Sequence, residues 1–174
     1  MGLTSSSTGQ KALEELSFEK VKSYDYIISF AGNPNVGKTS IFNNLTGMHQ
    51  HTGNWPGKTV SNAYGVKKYN NKSFLLVDLP GTYSLISNST EEEIAKDYIC
   101  SRKSAVTVVV TDATNLERNL NLVLQVLEIT SSVVVCVNLL DEANKKGISI
   151  DLNKLSSLLR RTCCSELLQV SQKH

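Results

Sequence analysis

One run of eight residues, Gly32-Asn33-Pro34-Asn35-Val36-Gly37-Lys38-Thr39, has the types and spacing needed to hold a phosphate chain. It fits the pattern G-x-x-x-x-G-K-[ST], which carries its mechanism in its residue types. Gly32 and Gly37 let the backbone wrap closely and turn N–H groups inward toward phosphate oxygens. The helix expected to follow, opening near Thr39 and Ser40, adds the positive end of its dipole. Lys38 is long enough to reach the β- and γ-phosphates of a nucleoside triphosphate, and the Thr39 hydroxyl is suited to ligating Mg²⁺. Alone, this pattern specifies a triphosphate and a metal, and leaves the base open.

Two further clusters narrow the chemistry. Asp78-Leu79-Pro80-Gly81 comes off an apolar stretch. In that place Asp78 can hold Mg²⁺ through a water, and the Gly81 N–H can face the γ-phosphate. By itself Asp-x-x-Gly is an ordinary strand-ending turn; its weight comes from following a phosphate loop. Asn138-Leu139-Leu140-Asp141 lies at the end of another apolar stretch. A carboxylate at Asp141 can accept two hydrogen bonds, from N1–H and the exocyclic amine of guanine. Adenine lacks both donors and leaves the carboxylate unpaired, which is costly. Asn138 can bridge the base edge to the phosphate loop. The bland reading of this pair is a helix-capping turn.

These residues need strands to carry them and helices to cover the strands. The pattern predicts strands at 26–31, 60–69, 72–77, 106–112 and 133–138. Asn70-Asn71 suits a tight hairpin turn between the second and third of these. Helices are expected at 39–46, 91–100, 116–130 and 151–159, the third with Leu120, Val123, Leu124 and Leu127 in register. Residues 49–59 read as a loop, and 167–170 as a last short strand. Alternation of strands and helices implies an α/β fold, a mainly parallel sheet with one antiparallel edge hairpin and helices on both faces. Each polar cluster falls at a strand's carboxyl end, where such folds bind ligands. Residues 1–25 read as a flexible leader, with a short helix at 11–21 as the alternative.

Composition sets bounds on the remaining functions. With 174 residues the chain fits one domain, and 40% hydrophobic against 20% charged residues is a globular balance. A net charge of +2 gives no electrostatic case for nucleic acid. No apolar run approaches the roughly 18 residues that span a bilayer, and the amino terminus lacks a signal-peptide core. Cys100, Cys136, Cys163 and Cys164 form no Cys-x-x-Cys pair and are expected to be reduced thiols, with Cys136 a small buried hydrophobe. His49 and His51 are too few for a metal site without acidic or thiolate partners, and read as surface loop residues.

The motifs together resemble those of one family. Gly32 to Thr39, Gln50-His-Thr-Gly-Asn-Trp-Pro-Gly-Lys-Thr59, Asp78-Leu-Pro-Gly-Thr-Tyr-Ser-Leu85, Asp112-Ala-Thr-Asn-Leu-Glu-Arg-Asn-Leu120 and Asn138-Leu-Leu-Asp141 closely resemble the cytosolic G domain of FeoB, the prokaryotic ferrous iron transporter family. The segment around Trp55 is far more specific than the nucleotide motifs, which many GTPases share. The resemblance runs over residues 26–150 and implies a P-loop NTPase G domain that binds GTP and GDP with Mg²⁺. It implies that Thr59 ligates Mg²⁺, that Asn35 helps hold K⁺ beside the phosphates, and that Asn54 and Trp55 lie in the loop covering that ion. It implies a domain at the cytoplasmic face of the inner membrane, acting on iron passage through helical regulatory and transmembrane parts that this chain lacks, with oligomerisation through the full-length protein.

Departures from the family pattern shape the expectation. Gly81 is followed by Thr82 and Tyr83, not by a glutamine that would position the attacking water, so hydrolysis should be slow. Leu139 stands where many GTPases carry a lysine that packs on the base. The base-contacting loop that should follow a final strand has only Ser171 as a candidate, and the closing helix is missing, so the domain is expected to be incomplete at its carboxyl end. Two other readings stay open: a nucleotide-dependent switch without turnover, and a GTPase of another P-loop subfamily. A P-loop ATPase or kinase is disfavoured by Asp141.

Overall fold

In a computed structural model, residues 23–47, 50–55, 58–86 and 88–165 are described. They form a seven-stranded mixed sheet. In chain order the elements are β1 (Tyr26–Gly32), α1 (Lys38–Thr46), β2 (Gln50–Asn54), β3 (Ser61–Tyr69), β4 (Lys72–Asp78), α2 (Thr90–Cys100), β5 (Val106–Asp112), a 3-10 turn (Ala113–Asn115), α3 (Leu116–Ile129), β6 (Val133–Asn138), α4 (Leu140–Lys145), α5 (Leu152–Leu159) and β7 (Thr162–Cys164). The sheet order is β2-β3-β4-β1-β5-β6-β7, antiparallel from β2 through β4 and parallel from β4 to β7.

The strands show why both faces must be covered. Along β4, Leu75 and Val77 enter one apolar cluster and Leu76 the other. In β5, Val108 and Val110 oppose Val109, and in β6, Val135 and Val137 oppose Cys136. This period-2 split sends alternate side chains to opposite faces. Helix α1 covers one face with Ile41 and Phe42. Helices α2 and α3 cover the other with Ile94, Ala95, Tyr98, Leu122, Val123 and Val126.

Several expectations change in detail. Residues 49–59 are not all loop: Gln50–Asn54 pairs antiparallel with β3, so the antiparallel edge has three strands and not a single hairpin. The sequence QHTGN is polar and lacks the β-branched run that marks a strand, so its pairing comes from the neighbouring edge of β3 and not from its own propensity. The buried face of α3 is carried by Asn119, Leu122, Val123 and Val126, while Leu124 is 53% exposed. Helix α4 and strand β7 were not anticipated, being too short for any periodicity to show. The Asn70-Asn71 turn has both residues at positive φ, 46° and 59°, as a two-residue hairpin of the primed type requires. The expected leader or helix before residue 23, His49, the strand at 167–170 and Ser171 lie outside the described residues. Among the described residues no helix is long and apolar enough to cross a membrane.

Candidate functional site

The phosphate loop joins the end of β1 to the start of α1, and its shape is set by two close approaches. A Cβ at Gly32 would lie 2.7 Å from the Val110 carbonyl oxygen of β5, so any side chain there would push the loop off the sheet. Gly37 has φ +82°, and a Cβ on it would meet Asn138 Nδ2 at 2.4 Å. Asn35, also left-handed at φ 65°, stands two residues earlier. Alternating backbone of this kind turns successive N–H groups into a concave anion nest. Gly37 caps α1 with no side-chain hydrogen bond, so the N–H groups of the first helical turn stay available to a ligand.

A cavity of about 520 Å³ opens over this loop, lined by Asn33, Pro34, Asn35, Gly37, Lys38, Thr39, Ser40 and Gly81. Lys38 is buried and paired with Asp78 Oδ1. Its Nζ also donates to the Leu79 carbonyl at 2.6 Å. Thr39 Oγ1 donates to Asp78 Oδ2 at 3.0 Å. An ammonium, a hydroxyl and a carboxylate from β4 and α1 therefore converge on one point. They are held there because β1 and β4 lie side by side, with Phe30 opposite Asp78, and because Leu79 N donates to Phe30 O at 3.0 Å. Gly81 reaches the same cavity because its α-carbon backs onto Pro34: a Cβ would lie 3.3 Å from Pro34 Cα. Thr82 N fixes this turn by donating to Gly32 O at 3.1 Å.

Asn33 Oδ1 is buried with no hydrogen-bond partner, in a residue that lines the cavity. A buried acceptor left unpaired is costly and points to a donor or cation supplied by a ligand. The paired oxygens of Thr39 and Asp78 suit a hard cation such as Mg²⁺.

The Asn138–Asp141 cluster reaches the Gly32–Thr39 loop from β6. Asn138 ends that strand, and its Nδ2 donates to the Val36 carbonyl at 2.9 Å. Leu139 follows with φ 60°, a conformation costly for a branched side chain, and turns the chain into α4. Asp141 sits in the first turn of α4, 75% exposed and 4.0 Å from Lys145 Nζ. Its carboxylate faces solvent, accessible to an incoming base.

The structure separates the remaining candidates from this cavity. Thr59 is exposed in the segment between Trp55 and β3, and Asn54 ends edge strand β2, also exposed. Neither is among the cavity-lining residues. Trp55 is 3% exposed and packs edge-to-face on Tyr98 of α2, ring centroids 5.7 Å apart. The structure places its ring in the core cluster beneath the sheet, where a large aromatic area is withdrawn from water. His51 stacks on Tyr64 at 5.2 Å along the β2–β3 ladder. Among the described residues no group of three or more metal-ligating side chains forms.

Some positioning residues were not legible in the sequence. Gln125 of α3 accepts from Leu85 N at 2.6 Å and Ser84 Oγ at 3.2 Å, pinning the segment after Gly81. Arg118 stacks over the Tyr83 ring at 4.2 Å. Lys58 pairs with Glu93 of α2 at 2.7 Å, beside the Trp55 contact. Neither the Gln125 carboxamide nor the Lys58–Glu93 pair has a local pattern; each depends on elements distant in sequence meeting.

Comparison with known proteins agrees with this geometry. The family model described as Ferrous iron transport protein B matches residues 26–172. The Fe(2+) transporter FeoB of Methanocaldococcus jannaschii is 54% identical over 108 residues, 62% of this chain and 16% of that protein. Its counterpart in Escherichia coli is 48% identical over 136 residues, 76% of this chain and 18% of that protein. The chain thus spans less than a fifth of these relatives. Among solved structures, the G domain of the T. maritima FeoB iron transporter superposes with a TM-score of 0.75 at 41% identity, covering 79% of this chain and 84% of that one. A GDP-bound point mutant of the S. thermophilus FeoB G domain gives 0.78 at 42% identity, covering 82% and 54%. With the family model matched over residues 26–172 and a P-loop G-domain fold shared with the solved relatives, the chain belongs to the ferrous iron transport protein B family.

Proposed function

We propose that this chain is a guanine-nucleotide-binding domain that hydrolyses GTP slowly and, as part of a longer protein, couples nucleotide state to the passage of ferrous iron at the cytoplasmic face of the inner membrane. The observation that supports it best is the bond from Asn138 to the Val36 carbonyl. It ties the base-reading turn to the phosphate loop, so that one ligand can engage Asp141 and Lys38 together. GDP bound to the S. thermophilus relatives fits this reading.

In this reading Lys38 and the loop N–H groups hold the phosphates, and Asp141 selects guanine. The Thr39 hydroxyl and Asp78 would hold Mg²⁺, with Thr59 as a further ligand. Asn35, with Asn54 in the covering segment, would hold K⁺. Mg²⁺ and K⁺ supply positive charge to the phosphate oxygens. With nucleotide bound, the Lys38 ammonium would turn from Asp78 to the phosphates, leaving the Asp78 carboxylate free to help hold Mg²⁺. Thr82 is buried and Tyr83 stacked under Arg118, so neither offers a base to the attacking water. Backbone groups around Gly81 orient that water, and turnover is slow. Ser171 is the candidate contact to the guanine O6.

Single-turnover GTP hydrolysis in K⁺ and then in Na⁺, with Mg²⁺ throughout, tests the proposal. Faster hydrolysis in K⁺ is expected. Absence of turnover in both ions, with GTP still bound, would replace the enzyme by a switch without turnover. Equal affinity for ATP and GTP would overturn the guanine assignment.

A further inference from the structure

Two of the four cysteines are brought together by the end of the sheet. Cys136 lies within β6 and Cys164 ends β7, and the two are direct partners in the parallel ladder. Both side chains lie on the α1 face: Cys136 belongs to the cluster of Val36 and Phe42, and Cys164 packs against it. Neighbouring strands run ~4.8 Å apart, inside the roughly 4.4–6.8 Å between α-carbons that a disulfide spans. Cys163 is turned away, packed on the opposite face with its Sγ toward the Arg161 carbonyl at 3.8 Å. It cannot reach Cys136 through the sheet, and adjacent cysteines bridge each other only under strain.

The pair has the asymmetry of an attacking and a resolving thiol. Cys136 is 1% exposed, whereas Cys164 is partly exposed at the sheet edge. A hydrogen bond donated by the Cys136 thiol holds the Cys164 thiol down to about 7, against the opposing effect of burial. Burial pushes the Cys163 thiol up. Thiolate fraction and its place opposite Cys136 in the ladder favour Cys164 over Cys163 as the nucleophile.

We propose that Cys136 and Cys164 form a reversible dithiol–disulfide site that reacts with low-molecular-weight disulfides. The Cys164 thiolate attacks one sulfur of the external disulfide, forming a mixed disulfide and releasing one thiolate. Cys136 then gives up its proton to solvent and attacks Cys164 Sγ, releasing the second thiolate and closing the internal bond. The dithiol loses two electrons and two protons, and the external disulfide is reduced to two thiols. The closed bond clamps β7 to β6 two residues before Asn138.

The test is peptide mapping of the full chain after incubation with oxidised glutathione and alkylation of remaining thiols. A Cys136–Cys164 cross-linked peptide, loss of two of the four thiols and full recovery with dithiothreitol are expected. With the remaining thiols alkylated in denaturant, Cys164→Ser should leave Cys136 as an alkylated thiol, and Cys136→Ser should trap glutathione on Cys164. Circular dichroism of each variant checks the fold, and the wild-type map stands without them. The proposal is overturned by a Cys163–Cys164 link, by modification of Cys100 alone, or by equal oxidation of Cys136 in the Cys164→Ser protein. None of these readouts depends on nucleotide binding.

Discussion

Lys38 illustrates how one side chain serves both the fold and the site. Its ammonium is buried against Asp78 and the Leu79 carbonyl. Removing one member of a buried ion pair leaves the other charge uncompensated, at a cost of about 3–5 kcal/mol. Lys38→Met should therefore lose nucleotide binding and also unfold at markedly lower urea concentration, whereas a lysine serving only the phosphates would leave the urea midpoint unchanged. Asp141 is the opposite case. At 75% exposure with a 4.0 Å contact to Lys145, it contributes little to stability. Asp141→Asn should keep the urea midpoint and weaken GTP by tenfold to a hundredfold, about 1–3 kcal/mol for the hydrogen bonds lost, with ATP unaffected. Isothermal titration with both nucleotides decides this, and a parallel loss for ATP would remove Asp141 from base selection. Residue types legible in the sequence put both side chains near a nucleotide. The burial that sets Lys38 apart from the exposed Asp141 required the packing of β4 against β1.

At the scale of elements, the segment from β2 to β3 is held down at two points of unequal strength. Trp55 is buried against Tyr98, while Lys58 meets Glu93 across 2.7 Å with side chains 37% and 50% exposed. Burial of an indole outweighs an exposed ion pair: Trp55→Ala should cost about 3–5 kcal/mol, and Lys58→Ala within about 1 kcal/mol. Urea denaturation of the two variants checks the order, and a larger loss for Lys58→Ala would reverse it. The parallel strands were legible as short continuous β-branched runs bounded by polar residues, as in Val106–Asp112 and Val133–Asn138, and the helices by apolar residues at the helix period. Strand β2 was not, since its polar residues take their conformation from the free edge of β3. The burial of Trp55 was not legible for a related reason. A resemblance in sequence locates a residue in a loop, but only three-dimensional packing shows that α2 passes beneath it. In α3, Leu124 fits the apolar stripe by spacing, yet the helix is rotated to bury Asn119, whose carboxamide accepts from Asp112 N at 3.3 Å and donates to Asn115 O at 2.8 Å. A polar residue with two backbone partners displaced an apolar one from the buried face.

For the molecule as a whole, the phosphate loop and the base-reading turn come from strands separated in the sheet by β5. Asn138 joins them, 102 residues along the chain from Val36. The loop is thus shaped from two sides, by the Val110 carbonyl behind Gly32 and by Asn138 against Gly37. A group that shapes the loop should matter to every nucleotide that uses it, whereas a group that reads the base should matter to one. Asn138→Ala removes a bond of about 1 kcal/mol and leaves the partly buried Val36 carbonyl without it. Affinity for GDP should fall fivefold to tenfold, and the weaker affinity for ADP should fall by the same factor, in contrast to the base-selective loss at Asp141. Competition titrations with both diphosphates measure the two factors directly. A loss confined to GDP would make Asn138 a base contact and break the proposed link between the two halves of the sheet.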